Sequence, residues 1–257
     1  MRSGLPETDI TRHLVMTGNP GTGKTTVARL LGAIYVGYGL LQTGQVVEVT
    51  RSELIDKYLG KTDENVKEAF NRASGGILFI DEAYSLVRRE GSEPDYGRIA
   101  VDTMVPLMEN RRREMMVVAA GYPGPMRQFL RSNPGLEGRF GTTIHFPNYS
   151  DAELLEILRR LCQQRAFGLP PDAEDAAGKV MAGAREQMGE RFHNGRMVDR
   201  LFEKMVQRHH HRLYQVQRRE RRESTAAELT MLSAADLPTV EELVPTVDDE
   251  TVGARGW

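Results

Sequence analysis

The chain has 257 residues, 40% of them hydrophobic and 27% charged, usage that supports a packed core and excludes a disordered protein. Its 34 basic and 36 acidic side chains leave a net charge of -2, so no global field draws it onto nucleic acid or a membrane surface. One cysteine, Cys162, excludes an intramolecular disulfide, and no run approaches the ~20 apolar residues of a membrane span, which together predict a cytoplasmic protein with no membrane insertion.

Short apolar runs at 13–17, 46–49, 77–80, 116–120 and 143–146 are separated by stretches of helical periodicity, which predicts alternating strands and helices. Runs as continuous as Ile77-Leu78-Phe79-Ile80 suit strands buried on both faces, hence a doubly wound parallel sheet in an α/β domain over residues 1–147. Beyond Pro147 the strand pattern stops. Ser150 and Glu153 have capping-box spacing, and Leu154, Ile157, Leu158, Leu161 and Cys162 fall on one helical face. Val198, Leu201, Phe202, Met205 and Val206 repeat that spacing, so residues 148–222 read as a small all-helical domain. Residues 223–257 read as a tail, partly disordered, with its last ~15 residues mobile. Cys162, set among Leu158, Leu161 and Arg165, reads as a buried apolar thiol. The basic run Arg218, Arg219, Arg221 and Arg222 reads as a solvated helix end, and His209, His210 and His211 point ~100° apart on a helix, which does not suit one metal ion.

Gly18-Asn19-Pro20-Gly21-Thr22-Gly23-Lys24-Thr25 satisfies the P-loop pattern between a predicted strand and a predicted helix. Glycines at these positions let backbone amides turn toward phosphate without a Cβ in the way, and the helix that starts near Lys24 adds its positive end. Asn19, Pro20, Gly21, Thr22, Gly23, Lys24, Thr25 and Thr26 are therefore the expected ATP contacts, with Lys24 on the β and γ phosphates and the Thr25 hydroxyl on Mg2+. Asp81 and Glu82 follow a buried strand directly, the Walker B arrangement. Asp81 is expected to hold Mg2+, usually through water, and Glu82 to polarise the attacking water as general base.

With these motifs, Leu78-Phe79-Ile80-Asp81-Glu82-Ala83-Tyr84, Ala120-Gly121-Tyr122-Pro123 and Asn133-Pro134-Gly135-Leu136-Glu137-Gly138-Arg139-Phe140 make the chain resemble AAA+ ATPases, most closely the CbxX/CfqX group. That group includes red-type Rubisco activases, type VII secretion ATPases and sporulation-associated relatives. The resemblance implies a nucleotide domain with a helical lid, and a homo-oligomeric ring, most often a hexamer, that remodels or translocates a protein substrate, with Rubisco or secretion-system components as possible partners. It places Arg139 as an arginine finger reaching a neighbouring subunit's γ-phosphate, and Arg196 as the second sensor, with Arg200 one turn later as the competing assignment. It places Tyr58, Leu59 and Gly60 as a substrate-gripping pore loop. The alternative function is a nucleotide-switched assembly module that threads no substrate. The family's polar first sensor has no counterpart after the strand at 116–120, where Tyr122 is the positional candidate. The chain begins about a dozen residues before its first predicted strand, which suggests a piece of a longer protein.

Overall fold

A computed structural model describes residues 11–56, 58, 60–87 and 96–244. The described residues divide into two compact units, one within 11–18 and 23–146, the other of 19–22 and 147–244.

In the first unit, β1 (Leu14–Gly18) leads through the phosphate-loop motif to α1 (Lys24–Gly37), followed by β2 (Val46–Val49), α2 (Arg51–Leu54) and α3 (Lys61–Arg72). Next come β3 (Ile77–Ile80), α4 (Tyr96–Asn110), β4 (Met116–Gly121), α5 (Pro123–Arg131), α6 (Pro134–Arg139) and β5 (Thr142–Phe146). Among the described residues the five strands form one sheet in the order β2-β3-β4-β1-β5, and every pairing is parallel. Side-chain alternation splits the core in two. Val15, Leu78, Ile80, Val117 and Ala119 face a cluster that includes Val66 and Phe70 of α3, Met104 and Met108 of α4 and Phe129 of α5. Leu14, Met16, Ile77, Phe79 and Val118 face Ala28 of α1 and Leu41. The three central strands are buried along their whole length, whereas the edge strands β2 and β5 are partly exposed, as their mixed sequences require.

His13 is buried at the start of β1, where its Nδ1 accepts from the Val117 amide at 3.0 Å and its Nε2 donates to the Met108 carbonyl at 3.0 Å. That pairing demands the neutral ring. Burial pushes the His13 pKa below its ordinary 6.5, assisted by Arg139 and opposed by the Met108 bond and Glu109. The unfolded chain therefore binds the proton more readily than the folded one, and the stability carried by neutral His13 is present above about pH 6.5 and lost as the pH falls below it. Urea unfolding at pH 7.5 and 5.5 should show a loss on acidification that is smaller in His13→Asn; equal pH slopes in the two proteins would exclude His13 as the titrating group.

The second unit is helical: α7 (Asp151–Gln164), α8 (Pro171–Met188), α9 (Gly195–Glu220), α10 (Ala226–Thr230) and α11 (Val240–Leu243). The Ser150 hydroxyl accepts from the Glu153 amide, and the Glu153 carboxylate accepts from the Ser150 amide at 2.7 Å, so the capping box opens α7. Leu154, Leu158 and Cys162 of α7 pack with Ala177, Met181 and Ala184 of α8 and with Val198, Leu201 and Met205 of α9. Burial pushes the Cys162 thiol up to about 11, which keeps it a protonated, unreactive core group.

The expected boundary at Arg222 does not hold. Leu232, Leu237 and Leu243 enter the same helical core, and each buried leucine contributes roughly 1.5–3 kcal/mol. A polar clasp fixes the segment: Arg212 donates from Nε to Asp236 Oδ1 at 2.7 Å and from Nη2 to Oδ2 at 2.9 Å, with the Asp236 side chain excluded from solvent. Burial pushes the Asp236 pKa up, but Arg212 and Ser233 outweigh it and hold the carboxyl below the usual range. The apolar spacing over 229–237 is too sparse to show a helix face, because these leucines fill gaps between other helices. The expected mobility of the last ~15 residues falls almost wholly on 245–257, outside the described residues.

Candidate functional site

In the first unit Gly18 ends β1 and Lys24 begins α1, while Asp81 and Glu82 follow β3. The register pairs Thr17 with Gly121 and Ile80 with Ala119, so β1 and β3 flank β4 and end at the same edge of the sheet. Two interstrand spacings, about 10 Å, separate them. Lys24 and Thr25 are half-buried, Thr26 is exposed, and Lys24 Nζ donates to the Gly18 carbonyl at 3.0 Å, which keeps the ammonium within the loop. Asp81 is anchored by its amide to the Val49 carbonyl, and its Oδ1 accepts from the Glu82 amide at 3.0 Å. Glu82 adopts a left-handed backbone with φ 49°, uncommon for a non-glycine residue, which turns the chain directly after the strand.

Tyr84, Tyr122 and Gly121 of the family motifs gather beside this carboxylate pair, together with Arg51, which has no signal in the sequence. The Tyr84 hydroxyl hydrogen-bonds to Glu82, and burial together with the Glu82 charge pushes the Tyr84 pKa up. The Tyr84 ring lies 6.1 Å from that of Tyr122. A Cβ at Gly121 would come within 2.7 Å of the Tyr84 ring, so the small residue that ends β4 makes room for it. Arg51 donates to the Ser85 carbonyl, and with Thr50, Asp81 and Glu82 it lines an open cavity of about 420 Å³. Only the adjacency of β2 and β3 brings Arg51 there.

Residues 19–22 of the loop pack within the second unit. The Gly21 carbonyl accepts from the Gly195 amide at 3.0 Å, Pro20 from Asn194 Nδ2 at 3.3 Å, and Thr22 from the Tyr149 hydroxyl at 3.1 Å. Asn19 Nδ2 donates to Asn148 Oδ1 at 2.9 Å. The approach is backbone to backbone: a Cβ at Gly21 would lie 2.1 Å from the His193 carbonyl and 2.8 Å from the Arg196 amide. Asn194 is fully buried at φ 45°, ψ -120°, a conformation open to glycine that costs other residues about 1–3 kcal/mol. Arg196 is in the first turn of α9 and exposed, which places it by the loop, whereas Arg200 follows one turn further along the helix.

The remaining predicted residues lie on other elements of the first unit. Arg139 is at the end of α6, where Nη1 donates to the Gly135 carbonyl at 3.0 Å and Nε lies 3.5 Å from Glu109 Oε2. Its side chain retains 25% exposure. Tyr58 is 63% exposed in the loop between α2 and α3, and Gly60 caps α3 at φ 83°. The base of that loop is braced by Thr62, whose hydroxyl donates to the Asp56 carbonyl and accepts from the Asp56 amide, both at 3.1 Å. Leu59 lies outside the described residues.

The donor set suits Mg2+ bound with a polyphosphate. That ion takes one or two protein oxygens and completes its shell with phosphate and water, and the Thr25 hydroxyl and Asp81 carboxylate supply such oxygens. Among the described residues no group of three or more His, Cys, Asp or Glu could hold a metal, so no all-protein cage competes with this arrangement. Among them, too, no helix is long and apolar enough to cross a membrane.

Residues 14–148 match the family described as "ATPase family associated with various cellular activities (AAA)", and residues 150–246 match "AAA lid domain". The chain is 40% identical over 195 residues to Stage V sporulation protein K of Bacillus subtilis, covering 76% of this chain and 60% of that protein. It is 39% identical over 211 residues to Protein CbbX of Cereibacter sphaeroides, covering 82% and 67% respectively. The chain therefore spans about two thirds or less of these relatives. The crystal structure of the FIGL-1 AAA domain in complex with ADP superposes with a TM-score of 0.60 over 96% of this chain and 76% of that one, at 16% identity, which shows a shared fold. Nucleotide-loop motif, parallel sheet, helical second unit and family match agree: the chain belongs to the AAA ATPase family and carries its lid domain.

Proposed function

We propose that the chain is an ATP-hydrolysing subunit of a homo-oligomeric AAA ring, a hexamer by family resemblance, that remodels or translocates a protein substrate. The observation that carries this reading is the convergence of Lys24, Thr25, Asp81 and Glu82 on one edge of the sheet. Lys24 and the loop amides neutralise the phosphates, Thr25 and Asp81 hold Mg2+, and the metal when bound neutralises charge on the β and γ phosphates. Glu82 takes the proton from the attacking water. Arg196 senses the γ-phosphate.

Arg139 then acts in trans on a neighbouring subunit's γ-phosphate, where a planar guanidinium neutralises charge on the transferring phosphoryl group. The in-chain pairing with Glu109 must open for that. Arg139→Ala should keep ATP binding near normal and lose most turnover, and mixing it with Lys24→Ala should restore some activity at hybrid interfaces. No recovery at any mixing ratio, with assembly verified by light scattering, would remove Arg139 from the trans role.

The exposed Tyr58 supports a grip on substrate, because aromatic rings offer large apolar contact at modest entropy cost. Tyr58→Ala should leave melting temperature, assembly and ATPase rate near normal while remodelling is lost. A lowered melting temperature, or full remodelling by that variant, would remove Tyr58 from the grip. Rubisco and secretion-system components are the substrate candidates that the family resemblance offers.

A further inference from the structure

Three successive peptide groups of the phosphate loop are held by their carbonyls. Pro20 O accepts from Asn194 Nδ2, Gly21 O from the Gly195 amide, and Thr22 O from the Tyr149 hydroxyl. In a trans peptide the carbonyl and the following N–H point in opposite directions. Fixing those three oxygens therefore fixes the amides of Gly21, Thr22 and Gly23, and turns them away from the donors. These are the amides that a phosphate-cradling loop must present together. Glycines at Gly21 and Gly23 leave the loop many alternative conformations, so something outside it has to select one.

The donors are themselves oriented. Asn194 Oδ1 accepts from the Tyr149 amide at 3.0 Å, and Arg185 Nη2 donates to the Tyr149 carbonyl at 2.7 Å. Asn194 Nδ2 also donates to Asn148 Oδ1 at 3.0 Å and to the Phe192 carbonyl at 3.2 Å. The backbone at Asn194 stands in a conformation that glycine would adopt without cost, so the asparagine is there for its amide group.

We propose that Asn194 and Tyr149 are positioning residues for polyphosphate binding, which hold the loop amides in their anion-binding direction from the carbonyl side. This rests on the reading of the loop as the ATP phosphate site.

The test measures displacement of a fluorescent ATP analogue by ATP, ADP and adenosine, with the full chain and three variants. Tyr149→Phe deletes one hydroxyl and should weaken ATP and ADP roughly 3–10-fold, the scale of one hydrogen bond. Asn194→Gly keeps the backbone conformation available, deletes the side-chain pin, and should weaken both by ~10-fold or more. Adenosine, which carries no phosphate, should bind all of them alike. A purely structural role would lower the melting temperature and leave the ratio of ATP to adenosine affinity unchanged, which overturns the proposal. If Asn194→Gly does not fold, Tyr149→Phe decides by the same ratio. Lys24→Ala separates the two readings: if it binds the analogue as the unaltered chain does, the loop is not the ATP site. If it loses binding while both other variants keep it, the positioning role alone falls.

Discussion

Glu82→Gln should bind ATP as well as the unaltered chain and hydrolyse it at least ~100-fold more slowly, the usual scale for a lost general base. Glutamine keeps the size and the hydrogen bonding of the side chain but cannot take a proton from water. The left-handed backbone at Glu82 and the anchor of its amide to Asp81 are independent of the carboxylate, so the turn should persist in the variant. The Tyr84 hydroxyl, which donates to Glu82, has an oxygen to donate to in glutamine as well. Single-turnover hydrolysis with analogue binding on the same preparation provides the measurement. Near-normal turnover would show that another group activates the water.

Lys24→Ala should lose tight ATP binding, with affinity falling at least ~100-fold, because a lysine on two phosphates supplies two charge-assisted hydrogen bonds. Nothing else in the loop carries a positive side chain between Gly18 and Thr26. The half-buried Lys24 donates to the Gly18 carbonyl of its own loop at 3.0 Å, a contact whose loss should cost little stability beside that of phosphate binding. Calorimetry with ATP and Mg2+ tests this, and retained micromolar affinity would sink the assignment of the loop as the phosphate site.

The sequence by itself determined the strands, the helical character of residues 150–220 and the family resemblance. Ile77–Ile80 had to be buried on both faces because no polar residue interrupts it, Ser150 and Glu153 had to open a helix because the pair satisfies its free amides, and glycines at 18, 21 and 23 had to bend a loop no other residue could bend. These are local rules, acting over a few residues, and so they can be read along the chain. What only the tertiary structure decided depends on which distant segments meet. Arg51 reaches the cavity beside Glu82 because β2 pairs with β3. Leu232, Leu237 and Leu243 belong to the helical core, where the sequence suggested a tail, because gaps between α8 and α9 take apolar side chains at any spacing. Asn194 and Tyr149, 45 residues apart, meet through the buried Asn194 amide group, which also reaches the Pro20 carbonyl, while the Tyr149 hydroxyl reaches that of Thr22. No periodicity marks an asparagine as a hub, since its value lies wholly in the partners that folding brings within 3.3 Å.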